Sequence, residues 1–239
     1  MVIKNIFFDL GNTLIDMSVT HKATYFGLKS GLPDELVTDE LISKWERESY
    51  KIFDYYYKKG EFYTIKSLQV MSLKNVLLEY GINLSDRKLV DIVSKCWRYL
   101  IKNCLVYEDV IPTLFQLVQD GYELGLITDG DEEDVIRILK KHNLNNMFRT
   151  KIISSVVKRY KPDILLFERA LEKVQCVPEE AIYVGDSVKD INGAKKLGLF
   201  TVVINRNKTQ DTMTEMKPDF IIDSLFQLYP VIKNISKES

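Results

Sequence analysis

The sequence predicts an α/β protein built on a doubly wound parallel sheet, with an all-helical segment inserted after the first strand. Two observations predict the sheet, and a third predicts the insertion. Short apolar runs ending in small or acidic residues recur at Ile6-Phe7-Phe8, Tyr122 to Thr128, Ala181 to Asp186 and Phe200 to Asn205. Helical patterns alternate with them, as in Glu132 to Lys141 and Ile164 to Val174. Near-continuous apolar strands separated by helices indicate a parallel sheet covered on both faces. From about Met17 to Cys104 the periodicity is helical, with no convincing strand.

Taken in order, the first run delivers an aspartate to a strand end, followed by a tight Gly-Asn turn, in Asp9-Leu10-Gly11-Asn12-Thr13. The helical segment then reads as Glu40 to Lys58, Ile65 to Tyr80 and Arg87 to Lys102, broken at Gly60 and Gly81. Pro33 and Asp34 open a further helix, and Asn83-Leu84-Ser85 fits an N-cap. The expected domains are therefore 1–16 with 105–239 for the sheet and 17–104 for the helices. In such sheets ligands bind at the carboxyl ends of strands, beside a topological switch point. Asp9, Thr128 and Asp186 all fall there.

Composition narrows the function classes. The 239 residues carry a formal net charge of −1 and 46% hydrophobic residues, which describes a soluble globular protein. No excess of either charge argues for nucleic acid or an anionic membrane as partner. No signal-peptide pattern is present, and no apolar stretch approaches the ~18 residues of a membrane span. Cys96, Cys104 and Cys176 are odd in number and lack a CxxC pair, so they read as reduced thiols with no zinc site. The expectation is a cytoplasmic monomer or homodimer acting on a small molecule.

Four segments carry chemistry, in order: Asp9 in FFDLGNTL, Thr128 in LITDG, Lys161 in YKPD, and Asp186 with Asp190 in VGDSVKD. Together they fit phosphoryl transfer, in which fixed cations and donors neutralise charge on the equatorial oxygens. An aspartate nucleophile splits the reaction through a covalent phosphoenzyme. Carboxylates from two strand ends with a backbone carbonyl make the oxygen-only site that Mg²⁺ prefers. The Thr128 hydroxyl suits a phosphoryl oxygen, and Lys161 offsets the charge of nucleophile and phosphate.

These segments resemble the four motifs of the haloacid dehalogenase (HAD) superfamily, over nearly the whole chain. The resemblance implies a Rossmann-like core with Asp9 as nucleophile and Thr128, Asp129 and Lys161 at the substrate phosphate. It also implies Mg²⁺ held by Asp9, the Gly11 carbonyl, Asp186 and Asp190, with Asp190 acting directly, through water, or by orienting other groups. Asp129 stands where asparagine is common. The insertion resembles the type-one helical cap of the phosphatase and dehalogenase branch, and PDFIIDSLFQL its last strand-to-helix passage. Relatives sharing the ITDG form act on small phosphorylated compounds, including triose and sugar phosphates, so a small phosphorylated substrate is implied.

Gly11 departs from the pattern, because the phosphatases of this family usually carry a second aspartate there as general acid and base. Such catalysis is typically worth ~10²–10⁴-fold. Three readings follow: a phosphatase that tolerates the loss, a metal-independent 2-haloacid dehalogenase, or a weakly catalytic protein that binds a phosphorylated ligand. Halide leaves without a proton, but dehalogenases have a serine-asparagine pair where this chain has Gly-Asp-Ser. Asp16 and His21 are nearby stand-ins for the proton shuttle, each also readable as ordinary surface polarity. In the helical segment, Tyr55, Tyr56, Tyr57, Phe62 and Tyr63 flank Lys58-Lys59-Gly60, either facing substrate or packing together. Trp45 and Trp97 read as packing residues, and His142 as a helix C-terminus.

Overall fold

The computed structural model describes residues 2–206 and 217–237. The chain divides into two compact units, 1–16 with 105–239 and 17–104.

The first unit is a parallel sheet of six strands. They are β1 (Asn5–Phe8), β4 (Glu123–Thr128), β5 (Thr150–Ile153), β6 (Ala181–Gly185), β7 (Phe200–Ile204) and β8 (Phe220–Ile222), in the order β5-β4-β1-β6-β7-β8. β1 is central, with Phe8 registered against Leu126 on one side and Val184 on the other. The chain builds outward from β1 through β4 and β5, then returns to the other flank of β1 with β6. The switch point thus lies beside the end of β1, the crevice where open α/β sheets bind ligands. Phe7, Phe8, Tyr183 and Val184 are fully buried, as expected of strands covered on both faces. The helices of this unit are α5 (Val110–Gln119), α6 (Glu132–Lys141), the short α7 (Ser154–Val157), α8 (Ile164–Val174), α9 (Val188–Lys196) and α10 (Leu228–Lys237). His142 is the C-cap of α6.

The second unit holds α1 (Thr20–Lys29), α2 (Asp39–Lys59), α3 (Ile65–Glu79) and α4 (Asp86–Asn103). Its core gathers Leu28, Ile42, Trp45, Leu73, Leu77, Leu89 and Cys96. Trp45 is buried, and its indole N–H lies 2.9 Å from Ser72 Oγ, so its polar atom is satisfied. The indole N–H of Trp97 donates to Gln69 Oε1 at 2.7 Å. α1 and α4 pack closely at Gly27, where a Cβ would lie 2.0 Å from Cys96 Sγ. The α2 aromatics form a cluster of their own, with Tyr56 4.5 Å from Tyr63 and Phe53 stacked on Tyr57 at 6.2 Å. Tyr55 is more than half exposed. His21 lies on α1, exposed and 3.8 Å from Asp39.

Several local expectations are corrected. Pro33 and Asp34 open only a 3-10 turn, Asp34–Leu36, and the chain is extended again at Thr38, whose hydroxyl accepts the Leu41 N–H and caps α2. Ser85 is the N-cap of α4, as expected, and its backbone carbonyl accepts the Lys88 and Leu89 N–H groups. β5 was not foreseen, because Thr-Lys-Ile-Ile has too few apolar residues to register as a strand. Nor was the antiparallel pair of two-residue strands, β2 (Ile15–Asp16) and β3 (Leu105–Val106), which are too short for any periodicity. Among the described residues no helix is long and apolar enough to cross a membrane.

Candidate active site

The strand ends bring the predicted residues together. Asp9 directly follows β1, and its N–H donates to the Val184 carbonyl at 2.9 Å, which fixes the aspartate beside the end of β6. The turn after it needs Asn12 at φ 54°, a left-handed conformation that asparagine tolerates. Lys161 comes from the loop before α8, joined to Pro162 by a cis peptide bond. Its ammonium is 4% exposed and donates to Asp9 Oδ1 at 2.6 Å and Asp190 Oδ1 at 2.5 Å. Burial alone would lower its pKa, but the Asp190 and Asp9 carboxylates outweigh burial and hold it well above the ordinary lysine value.

Asp190 sits in the first turn of α9, inside a capping box. Its Oδ2 accepts the Ser187 N–H at 3.0 Å and hydroxyl at 2.6 Å, while Oδ1 takes Lys161 and the Tyr183 phenol. Burial opposes its charge, yet Lys161 and these donors hold the carboxyl below the usual range. Gly185 makes this approach possible, since a Cβ there would lie 2.5 Å from Asp190 Cγ.

Asp186 differs. Among the described residues it makes no ion pair, and burial with the nearby Asp9 and Asp190 charges pushes its carboxyl up to about 7. Asp9, Asp186 and Asp190 offer oxygens within 4.8 Å of one another. Among the described residues, Lys161 is the cation that pairs within this set of three carboxylates, so the cluster is short of positive charge. An oxygen-only, anionic set of this kind fits a hard divalent cation such as Mg²⁺. Both Asp190 oxygens are already engaged by protein donors, which leaves Asp9 and Asp186 as the carboxylates best placed to ligate directly.

Thr128 is buried at the end of β4, and its hydroxyl donates a long 3.4 Å bond to the Asp129 carbonyl. The Asp129 carboxylate is turned to the protein, accepting the Lys161 backbone N–H at 3.1 Å. Burial pushes it up to about 6, with Lys161 and Lys189 opposing. Asp16, in β2, is part-buried.

With this geometry in place, comparison with known proteins is informative. The family model of haloacid dehalogenase-like hydrolases matches residues 6–204. This chain belongs to that family. Among curated HAD relatives, a glyceraldehyde 3-phosphate phosphatase from Methanopyrus kandleri is 38% identical over 136 residues, covering 55% of this chain and 58% of the relative. The pyrophosphatase PpaX of Bacillus cereus is 30% identical over 132 residues, covering 55% and 61%. The matches thus span less than two thirds of these relatives. Among solved HAD structures, YfnB from Bacillus subtilis bound to magnesium has a TM-score of 0.79 at 20% identity, covering 97% of this chain and 99% of that one. That likeness supports the fold.

Two residues of the cluster escaped the sequence reading. Ser187 was detectable, because Ser-Val-Lys-Asp is a capping-box pattern at a helix start. Tyr183 was not, because a tyrosine inside an apolar strand looks like any other core aromatic.

Proposed function

We propose that this protein is a Mg²⁺-dependent phosphohydrolase of small phosphorylated metabolites, sugar or triose phosphates, working through a phosphorylated Asp9 within a core of residues 1–16 and 105–239, with 17–104 as an inserted helical domain. The observation that carries this reading is Asp186, a third carboxylate beside Asp9 and Asp190 with no cation of its own among the described residues. A dehalogenase needs no metal, and in it such a carboxylate would only repel the nucleophile. The similarity to a glyceraldehyde 3-phosphate phosphatase supports the substrate class.

In this mechanism an Asp9 carboxylate oxygen attacks phosphorus, the bond from phosphorus to the leaving oxygen breaks, and that oxygen leaves with the electron pair and takes a proton from solvent. Water then attacks the phosphorus of the aspartyl phosphate and gives up a proton to solvent, the phosphorus–Asp9 oxygen bond breaks, and phosphate and the Asp9 carboxylate are released. Lys161 faces the developing charge at close range, and the Thr128 hydroxyl and Asp129 backbone N–H bind phosphoryl oxygens. The Asp129 carboxylate, an anion held by Lys161 N–H, has no favourable contact with phosphate. Asp9, the Gly11 carbonyl and Asp186 would hold the metal, and Asp190 orients Lys161. Mg²⁺, when bound, neutralises the phosphoryl group against the nucleophile. Position 11 supplies no proton, so leaving groups that depart as weak bases react best.

A screen of phosphate esters with and without Mg²⁺, alongside Asp9→Asn, tests the proposal. Metal-dependent phosphate release that falls by ~10³-fold or more in Asp9→Asn is expected. Halide release from 2-haloacids without metal, or phosphate binding without turnover, overturns it.

A further inference from the structure

The Tyr183 phenol is fully buried at the centre of the polar cluster, although no general reading of phosphoryl transfer asks for it. Its oxygen accepts from Lys161 Nζ at 3.3 Å, and its one proton is shared between Asp190 Oδ1 at 2.7 Å and the Ile127 carbonyl at 3.0 Å. The ring is wedged edge-on against Phe167, with centroids 5.2 Å apart. Each polar partner belongs to a different part of the site. Ile127 precedes Thr128 on β4, Lys161 enters from the loop before α8, and Asp190 opens α9.

Lys161 has three N–H bonds to place. Asp9, Asp190 and Tyr183 take all three. Two of these acceptors are carboxylates, one following β1 and one on α9, and neither pair by itself fixes the direction of the ammonium. A third, neutral acceptor removes the remaining rotational freedom of the head group without adding negative charge where a phosphate must bind. We propose that Tyr183 is a positioning residue whose hydroxyl locks the Lys161 ammonium and the Asp190 carboxylate in register with the end of β4. This rests on the phosphohydrolase reading for its effect on turnover, and on the hydrogen bonds alone for its effect on Lys161.

Two variants separate the hydroxyl from the packing. Tyr183→Phe keeps the ring and removes only the oxygen, whereas Phe167→Leu loosens the ring and leaves the oxygen. Three measurements are made on each: kcat and KM for p-nitrophenyl phosphate with Mg²⁺, the melting temperature, and the ¹⁵N resonance of the Lys161 ammonium, identified by its loss in Lys161→Met. The expected result for Tyr183→Phe is a fall in kcat of at least ~10-fold with KM within about twofold, because a misplaced catalytic group costs transition-state rather than ground-state stabilisation. Its Lys161 resonance shifts or broadens while its melting temperature changes little. Phe167→Leu melts earlier and keeps a kcat near wild type below its transition. Wild-type kcat and an unmoved Lys161 resonance in Tyr183→Phe overturn the proposal. If the wild-type protein hydrolyses no phosphate ester, the phosphohydrolase reading fails by itself, and the Lys161 resonance still decides: moved in Tyr183→Phe it supports the lock, unmoved it overturns it.

Discussion

Lys161 Nζ lies 2.6 Å from Asp9 Oδ1 although the two residues are 152 positions apart in the chain. The ammonium is also the partner of Asp190, so one buried cation holds two carboxylates, one following β1 and one in the first turn of α9. A buried charge that loses its partner is costly, and the cost here falls on two anions at once.

Lys161→Met is therefore expected to destabilise the metal-free protein by about 3 kcal/mol. In the proposed mechanism the same change removes the cation facing the developing phosphoryl charge, and turnover should fall by roughly 10²–10³-fold. Urea unfolding and steady-state kinetics check the two effects separately. A variant with wild-type stability would mean that Asp9 and Asp190 find other partners.

Gly11→Asp restores a carboxyl where proton transfer to the leaving group is needed. Its kcat/KM should rise by ~10²-fold for alkyl phosphates, whose alkoxides need a proton, and change little for acyl or aryl phosphates. A plot of log kcat/KM against leaving-group pKa gives the measurement, steep for the wild type and flatter for the variant. Equal slopes would place a proton donor elsewhere in the wild-type site.

Asp109 ties three segments at the sheet end. Its Oδ2 accepts from Arg206 Nη1 at 2.6 Å, the Ser224 hydroxyl at 2.6 Å and the Leu225 N–H at 2.8 Å, and Arg206 in turn donates to the Thr13 carbonyl at 2.8 Å. Burial works against the charge, but Arg206, Ser224 and the Leu225 N–H outweigh it and hold the carboxyl below its ordinary value. A depressed folded-state pKa gives stability that is complete above the unfolded value of ~4 and lost as pH falls through the folded one. Asp109→Asn should lower the melting temperature at pH 7 by roughly 6–12 °C, and the gap to wild type should narrow toward pH 3. Melts across that range decide it.

Gly185→Ala places a Cβ against the Asp190 carboxyl, 2.5 Å from Cγ. The clash is with a side chain pinned by a capping box, so it relaxes poorly and should cost about 1–3 kcal/mol. Because Asp190 carries Lys161, activity should fall more than the stability loss alone predicts. Kinetics well below the melting temperature test this.

Much of this arrangement was legible in the sequence, for a physical reason. β1, β4, β6 and β7 are largely buried, so each reads as a near-continuous apolar run that ends at the carboxyl edge of the sheet. Asp9, Thr128 and Asp186 were found because they end such runs. Lys161 was found by its place before Pro162 and was expected beside the charge of Asp9, whereas its bonds to Asp190 and Tyr183 were not foreseen, since they depend on how α9 and β6 pack against the loop before α8. The role of Asp190 shows the same limit. The family resemblance implied a metal role, direct, through water or by orienting other groups, and only the fold reveals that Ser187, Lys161 and Tyr183 occupy its oxygens. β5, β2 and β3 were invisible because four polar-mixed residues, or two of any kind, carry no periodicity.

The β2–β3 pair has a consequence for how such a protein varies. Ile15 faces Val106 and Asp16 faces Leu105, so the chain leaves the sheet unit and re-enters it at neighbouring positions. Topologically the helical unit is then the loop of a hairpin, whose closing stem is two residues long. The entropic cost of closing a loop grows only slowly with its length, ~0.6 kcal/mol per doubling. Lengthening an insertion here from ten residues to ninety, about three doublings, costs the sheet only about 2 kcal/mol in closure entropy. This junction is where one helical segment can be exchanged for another while the strand-end residues of the sheet stay where they are.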